Sequence, residues 1–271
     1  MIMNGSNAIL LVDNDPFREI YRIFSLTKYG QKLSREVRYS RYQPVHVSND
    51  KWVELLGWDV NNLLHHLEAY AITKSFVIQS GNLFSEHERI MLYITAVIHD
   101  FAEAVRGDKM FDMKTAVDER EELKCLSYIL KELFDGHSNG GIEFRHIEEA
   151  YQEVMSGRNP KLRQAFNAIE RVGYLTTGCR AWMVEKEIED DGLKYGLLWL
   201  THNVLFNQIP KLLEYSDSYF SVRSFLKVKA SLISEAFMGM EDLIFDYEPE
   251  ELVRNSTRFA DAKRSWFSTR L

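Results

Sequence analysis

A histidine beside an aspartate, His99-Asp100, stands where an almost wholly apolar run from Ile90 to Ile98 stops. Polar groups at the mouth of a buried helix are costly to desolvate unless they hydrogen-bond or hold a cation, and imidazole with carboxylate suits a borderline divalent ion. Glu103 follows His99 by four residues and Asp100 by three, so a continuing helix projects all three toward one region. A lone His-Asp pair reads equally well as a satisfied core pair. Two further residues weight the metal reading: His65 upstream, on a stripe with Ala69, Ile72 and Phe76, and Asp217 downstream, in line with Leu213, Phe220 and Ser224. A carboxylate buried in that way needs a partner, and two histidines with two aspartates would leave positions of an octahedral shell open for water and a substrate oxygen. The reading therefore requires Asp217 to come within bonding reach of His99 and Asp100.

Other titratable residues compete for these places. His66 is the rival of His65, but it lines up with Tyr70, Thr73 and Lys74. Asp190 and Asp191 precede Gly192 in a charged turn and read as solvated acids. His137, His146 and His202 fall between the motif and Asp217, where a second metal would find ligands, yet a loop and two ordinary helical positions favour bland roles. His46 and His87 read as surface residues. Arg106 and Lys109, flanking Asp108, are candidates for phosphate contact.

The elements that must position these residues are helical. From residue 50 onward the apolar spacing predicts helices over 51–56, 61–77 and 118–134, then about 142–155, 161–171, 193–206 and 211–230, the last carrying Asp217. Ser85 and Glu88 form a capping-box pair opening the helix that ends at the His-Asp pair, and its all-round apolar body marks it as central. Pro210 is expected to separate two helices, and 135–141 is the clearest loop. Ala8–Asp13 resembles a first strand of a doubly wound sheet, but nothing after it alternates strand with helix, so a short lead-in is expected. The fold class is all-α, one domain over 1–271, with a core of about 38–230, an added helical insertion near 135–205 and a C-terminal extension over 231–271.

With 271 residues, 45% hydrophobic and 13% aromatic, the chain has ample material for a packed core. A formal charge of -7 argues against nonspecific binding to nucleic acid, which relies on many Lys and Arg contacts, while leaving room for a small anion held by a cation and local arginines. Cys125 and Cys179 are too few for a disulfide framework, so a reducing cytoplasm is the expected setting. No stretch approaches the roughly 20 apolar residues of a membrane span, and the N-terminus lacks the features of a secretory signal.

The order His65, His99-Asp100, Asp217 is similar to that of the HD-domain phosphohydrolase superfamily, and His-Asp-x-x-Glu-x-x-x-Gly-Asp over 99–108 resembles its bacterial 5'-deoxynucleotidase branch. The resemblance implies an HD-type helical bundle with extra peripheral helices. It implies that His65, His99, Asp100 and Asp217 hold one divalent ion (Mn, Co, Mg, Fe, Ni or Zn), that Glu103 activates or positions the attacking water, and that Asp108 helps seat a nucleotide. That branch has an Arg followed by an aromatic ahead of its first His, contacting sugar and phosphate; Arg41-Tyr42 is the nearest counterpart, with Tyr where Trp is usual. The long stretch before Asp217 implies added helices that could reshape the pocket or build a homodimer or larger homo-oligomer.

The function expected is hydrolysis of a (deoxy)nucleoside monophosphate by a metal-activated water. Its rivals are release of triphosphate from a dNTP, nucleotide binding without turnover, and two-metal oxygenase chemistry. Guanosine tetraphosphate hydrolysis fits less well, because Ala104 stands where the second acid of a His-Asp-x-x-Glu-Asp string would be.

Overall fold

Capping residues set the helix boundaries that matter most. The computed structural model describes residues 15–107, 115–135, 138–139, 142–240, 243, 245, 247–269 and 271. The lead-in at 8–13, Asp108, Lys109 and His137 lie outside the described residues. Asp15 accepts from the amide of Phe17 to open α1 (Pro16–Ser25), and its carboxylate also takes the Tyr70 hydroxyl at 2.8 Å, tying α1 to α4 (Asn62–Gln79). α2 (Lys28–Leu33) and α3 (Asn49–Leu56) follow; Asn61, at the end of the 3₁₀ turn Trp58–Val60, opens α4 by accepting from Leu63 and Leu64. The Ser85–Glu88 capping box opens α5 (Glu86–Ile98) as the sequence predicts. Thr95, the polar residue in its apolar body, is satisfied by donating to the Met91 carbonyl at 2.8 Å.

After α5 the chain makes tight turns rather than continuing as a helix, and re-enters helix only for the single turn α6 (Glu103–Arg106). α7 (Ala116–Phe134) carries its own capping box, Thr115 with Asp118. A hairpin of two residues per strand, β1 (Ser138–Asn139) with β2 (Ile142–Glu143), leads to α8 (Phe144–Ala150) and a π turn at Tyr151–Met155. The fold is all-α, and the buried apolar residues from Ile20 to Trp266 form one continuous cluster.

The long helices depart from the expected boundaries. The helix expected over 161–171 is α9 (Pro160–Glu185), and the pair expected on either side of Pro210 is one helix, α10 (Asp191–Ser218). Proline removes a helical N–H and crowds the carbonyls one turn earlier. The carbonyl left without its helical N–H is that of Phe206, yet α10 runs on through Pro210; at the same turn the neighbouring Asn207 carbonyl accepts from the Arg171 guanidinium of α9 at 3.2 Å. α10 therefore ends at Ser218, and α11 (Phe220–Gly239) begins two residues later. α12 (Pro249–Ser268) packs along α10 and buries Asn255, Phe259, Ala262 and Trp266. Against the middle of α10, Gly196 lets the Ser40–Tyr42 turn lie close, since a Cβ there would come within 2.1 Å of the Tyr42 carbonyl oxygen.

His202 fills an aromatic box where α10 meets the C-terminal segment. Its ring stacks on Phe259 at 4.3 Å and lies 4.8 Å from Phe245, and burial pushes its pKa down to about 4. The unfolded chain takes up this proton near pH 6.5 and the folded one only near 4, so the stabilisation is complete above pH 6.5 and is lost as pH falls toward 4. In His202→Phe, which keeps the stack without the titration, stability measured by denaturant unfolding should fall less between pH 7 and 4.5, by about 2 kcal/mol. Equal losses in both proteins would remove this group from the acid response.

Candidate metal centre

Two helices and the turn that follows one of them bring three ligand-type side chains together. His65 projects from the first turns of α4; His99 caps the C-terminal end of α5; Asp100 follows it in the turn. The Nε2 atoms of the two histidines are 3.3 Å apart, and Asp100 Oδ2 lies 3.1 Å from His99 Nε2 and 3.8 Å from His65 Nε2. His99 Nδ1 donates to the Ala96 carbonyl at 3.1 Å, which leaves the Nε2 lone pair facing the cluster. Three lone-pair atoms so close repel one another unless a cation or a proton lies among them. Ligands on a shell of about 2.0–2.1 Å sit about 3.0–3.4 Å apart, and the observed spacings suit that arrangement. The residues present thus fit a divalent ion.

Packing fixes these positions. Phe24 of α1 stacks on Phe101 with ring centroids 3.5 Å apart, clamping the turn that carries Asp100. Arg38, almost fully buried, donates from Nη1 to Asp100 Oδ2 at 3.0 Å. It is held by its own backbone: its amide donates to the Val60 carbonyl at 2.7 Å, and its carbonyl accepts from the fully buried Trp52 indole at 3.2 Å. Its guanidinium lies 5.3 Å from the Tyr174 ring. The next residue, Tyr39, has φ +63°, a left-handed conformation that a bulky residue rarely adopts. Burial alone would raise the Asp100 pKa, but His99 and Arg38 hold its carboxyl well below the usual range. Burial, followed by the charge of Arg38, lowers His65 well below the ordinary histidine value, favouring the neutral ring a metal needs. Against burial, which alone would lower it, Asp100 raises His99, whose Nε2 proton would leave as an ion entered.

His99 and Asp100 form part of the wall of a cavity of about 630 Å³. Glu103, only 4% exposed, lines it from α6, and Arg41, Tyr42, Arg163, Asn167, Arg171, Tyr174 and Gln208 complete much of the remainder. Arg171 donates to Gln208 Oε1 at 2.7 Å, which turns the Gln208 amide NH₂ outward as a donor. Arg41 sits 5.2 Å from the Trp199 ring and 3.5 Å from Glu251 of α12.

Two of the expected site residues are placed elsewhere. Asp217 does not join the cluster. Because α10 continues through Pro210, Asp217 falls in its last turn, with a side chain 86% exposed and 3.7 Å from Arg223. The carboxylate on that side of the site is Glu170 of α9, whose Oε1 lies 3.9 Å from His99 Nε2. Arg106 also turns away: its guanidinium pairs with Glu121 at 2.6 Å, and it does not line the cavity. His65 is the ligand-type histidine, whereas His66 is walled in by Phe24, Phe101 and His99, with neither ring nitrogen hydrogen-bonded among the described residues.

The remaining histidines have ordinary partners. His146 Nδ1 accepts the Glu143 amide at the start of α8, His46 meets Asp190, and His87 meets Glu149. Asp190 also caps α10 by accepting from Leu193. The sequence reading missed Glu170 and Arg38-Tyr39. Glu170 lies four residues after Phe166 and four before Tyr174, on the cavity side of a helix, and this acid on an aromatic stripe was the available signal. Arg38-Tyr39 is the first of two Arg-Tyr pairs in Arg38-Tyr39-Ser40-Arg41-Tyr42, and the repeat gave no means of ranking them.

No family model, curated protein or solved structure matches the chain. The two carboxylates can be separated by titration of the protein with Mn or Co. Glu170→Gln should weaken binding by at least about tenfold, and Asp217→Asn should leave it unchanged. The reverse pattern would restore the original assignment.

Proposed function

We propose that this protein is a metal-dependent phosphohydrolase that cleaves phosphate from a small nucleotide, most simply a (deoxy)nucleoside monophosphate. The observation that carries the reading is the meeting of His65 Nε2, His99 Nε2 and Asp100 Oδ2 beside a cavity that His99 and Asp100 line together with a buried arginine and a buried glutamate. The resemblance of 99–108 to the HD-type motif points the same way. So does the cavity volume, which lies within the range of about 300–1,000 Å³ usual for small-molecule sites.

A divalent ion held there would lower the pKa of a water and neutralise a phosphate oxygen. The chain's own groups supply the rest. Arg38 presents a guanidinium, a bidentate partner for phosphate, at the edge of the cluster. Glu103, on the same wall, takes the proton of the attacking water. The rings of Tyr39, Tyr42 and Tyr174 offer faces for sugar and base, and the Gln208 amide offers donors. Arg163 and Arg171, further along the cavity, favour one rival specifically: they would suit a longer phosphate chain and release of triphosphate from a dNTP.

The test is incubation with a nucleotide panel and Mn or Co, with products identified by mass. Orthophosphate from monophosphates is expected; triphosphate from dNTPs would select the rival. Ligand-dependent stabilisation with no phosphate released would replace both by a binding role. His99→Ala and Asp100→Ala should abolish metal binding, whereas Glu103→Ala should keep the metal and lose about 10²-fold or more in turnover. Full activity in any of the three would count against its role.

A further inference from the structure

Both nitrogens of a ligand imidazole need a defined state: one must present a lone pair, and the other must carry the proton and give it to an acceptor. For His99 the acceptor is the Ala96 carbonyl, part of its own helix. His65 Nδ1 instead faces a carboxylate, with Glu68 Oε2 3.5 Å away, one turn along α4. Glu68 is itself half-buried, and a second acid lies behind it. Asp59, in the Trp58–Val60 turn and only 3% exposed, has an oxygen, Oδ2, with no donor among the described residues. Burial, and then the charge of Glu68, push the Asp59 pKa up to about 6, as two acids packed together do. Asp59 Oδ1 accepts from the Arg180 guanidinium of α9 at 2.5 Å, and the same nitrogen also donates to the Leu56 carbonyl. Gly57, at φ +102°, leaves the space for that guanidinium, which a Cβ would overlap.

We infer that Glu68 is a positioning residue for the metal centre: it takes the Nδ1–H of His65 and fixes Nε2 as the ligating atom, with Asp59 and Arg180 anchoring it from behind. The assignment rests on the proposed metal centre. A row of acid, acid and arginine brought in from a turn, α4 and α9 is an expensive way to fill a core, since burying charges costs more than packing apolar groups of the same volume. The row ends on the distal nitrogen of a histidine whose other nitrogen enters the cluster, and a carboxylate there raises the basicity of the ring and holds its tautomer.

The test is titration of the full chain with Mn or Co, read by calorimetry and by the visible spectrum of the Co form. Glu68→Gln, which keeps the shape and removes the charge, should weaken binding about tenfold, and Glu68→Leu, which removes the acceptor, more, up to about a hundredfold. Both should shift the Co spectrum. Arg180→Met should weaken binding by a smaller factor, as an effect relayed through Asp59. Melting in EDTA separates a merely structural role, because that role would lower the metal-free melting temperature and leave affinity and spectrum intact. Wild-type affinity and spectrum in both Glu68 variants would overturn the inference while the metal centre stood. A wild-type protein that binds neither ion would overturn the centre, and the inference with it.

Discussion

Two imidazole nitrogens and a carboxylate oxygen, each with a lone pair, are packed within 3.1–3.8 Å of one another where solvent barely reaches. An arrangement of this kind is not something a core adopts for packing. In apolar surroundings unpaired polar atoms cost free energy that only a hydrogen or a cation shared among them can offset. Much of the surrounding structure holds them in place. α5 is apolar on every side and cannot rotate without exposing that surface; the Phe24–Phe101 stack fixes the turn; and Trp52 pins the backbone from which Arg38 reaches Asp100.

Charge balance points in the same direction. Written as ionised, Asp100, Glu103 and Glu170 place three negative charges around the cluster, and Arg38 places one positive charge against them. With the histidines neutral, a divalent ion brings this group to formal neutrality, the condition under which buried charges are least costly. On the proposed reading, a phosphate would then meet Arg38 beside the acids and Arg163 and Arg171 further along the cavity, so a protein of net negative charge can still present a locally attractive cavity to an anion.

The parts of the site legible in sequence were those written in local signals. The Ser85–Glu88 box and the apolar run of α5 announced a buried helix, and the abrupt polarity of His99-Asp100 marked its functional end. His65 was separable from His66 because the Ala69 and Phe76 stripe gave the helix a phase, although α4 proved buried on both sides. Asp217 failed for a non-local reason. Proline chemistry alone ends a helix at Pro210, but packing against α9 and α12 holds α10 as one helix, and it continues far enough to carry Asp217 into solvent. Glu170 was missed as well, because its approach to His99 is a tertiary contact between α9 and the end of α5. Arg38 was missed in favour of Arg41 because what distinguishes the two is tertiary: its ion pair with Asp100 and the Trp52 indole on its carbonyl.

The site divides into a fixed part and a part with reach, and this follows from side-chain length and burial. His65, His99 and Asp100 are short side chains on packed backbone, and their positions are set before anything binds. Glu170 is longer and 26% exposed, and stands 3.9 Å from His99 Nε2. A glutamate has one more rotatable bond than the aspartate expected from the motif, so it can close on an ion by a rotamer change without moving α9. In the proposed centre the three short side chains would set where an ion sits, and Glu170 would close on it from α9. On the proposed reading, this division would let one cavity admit both a cation and a phosphate more readily than four ligands held equally tightly.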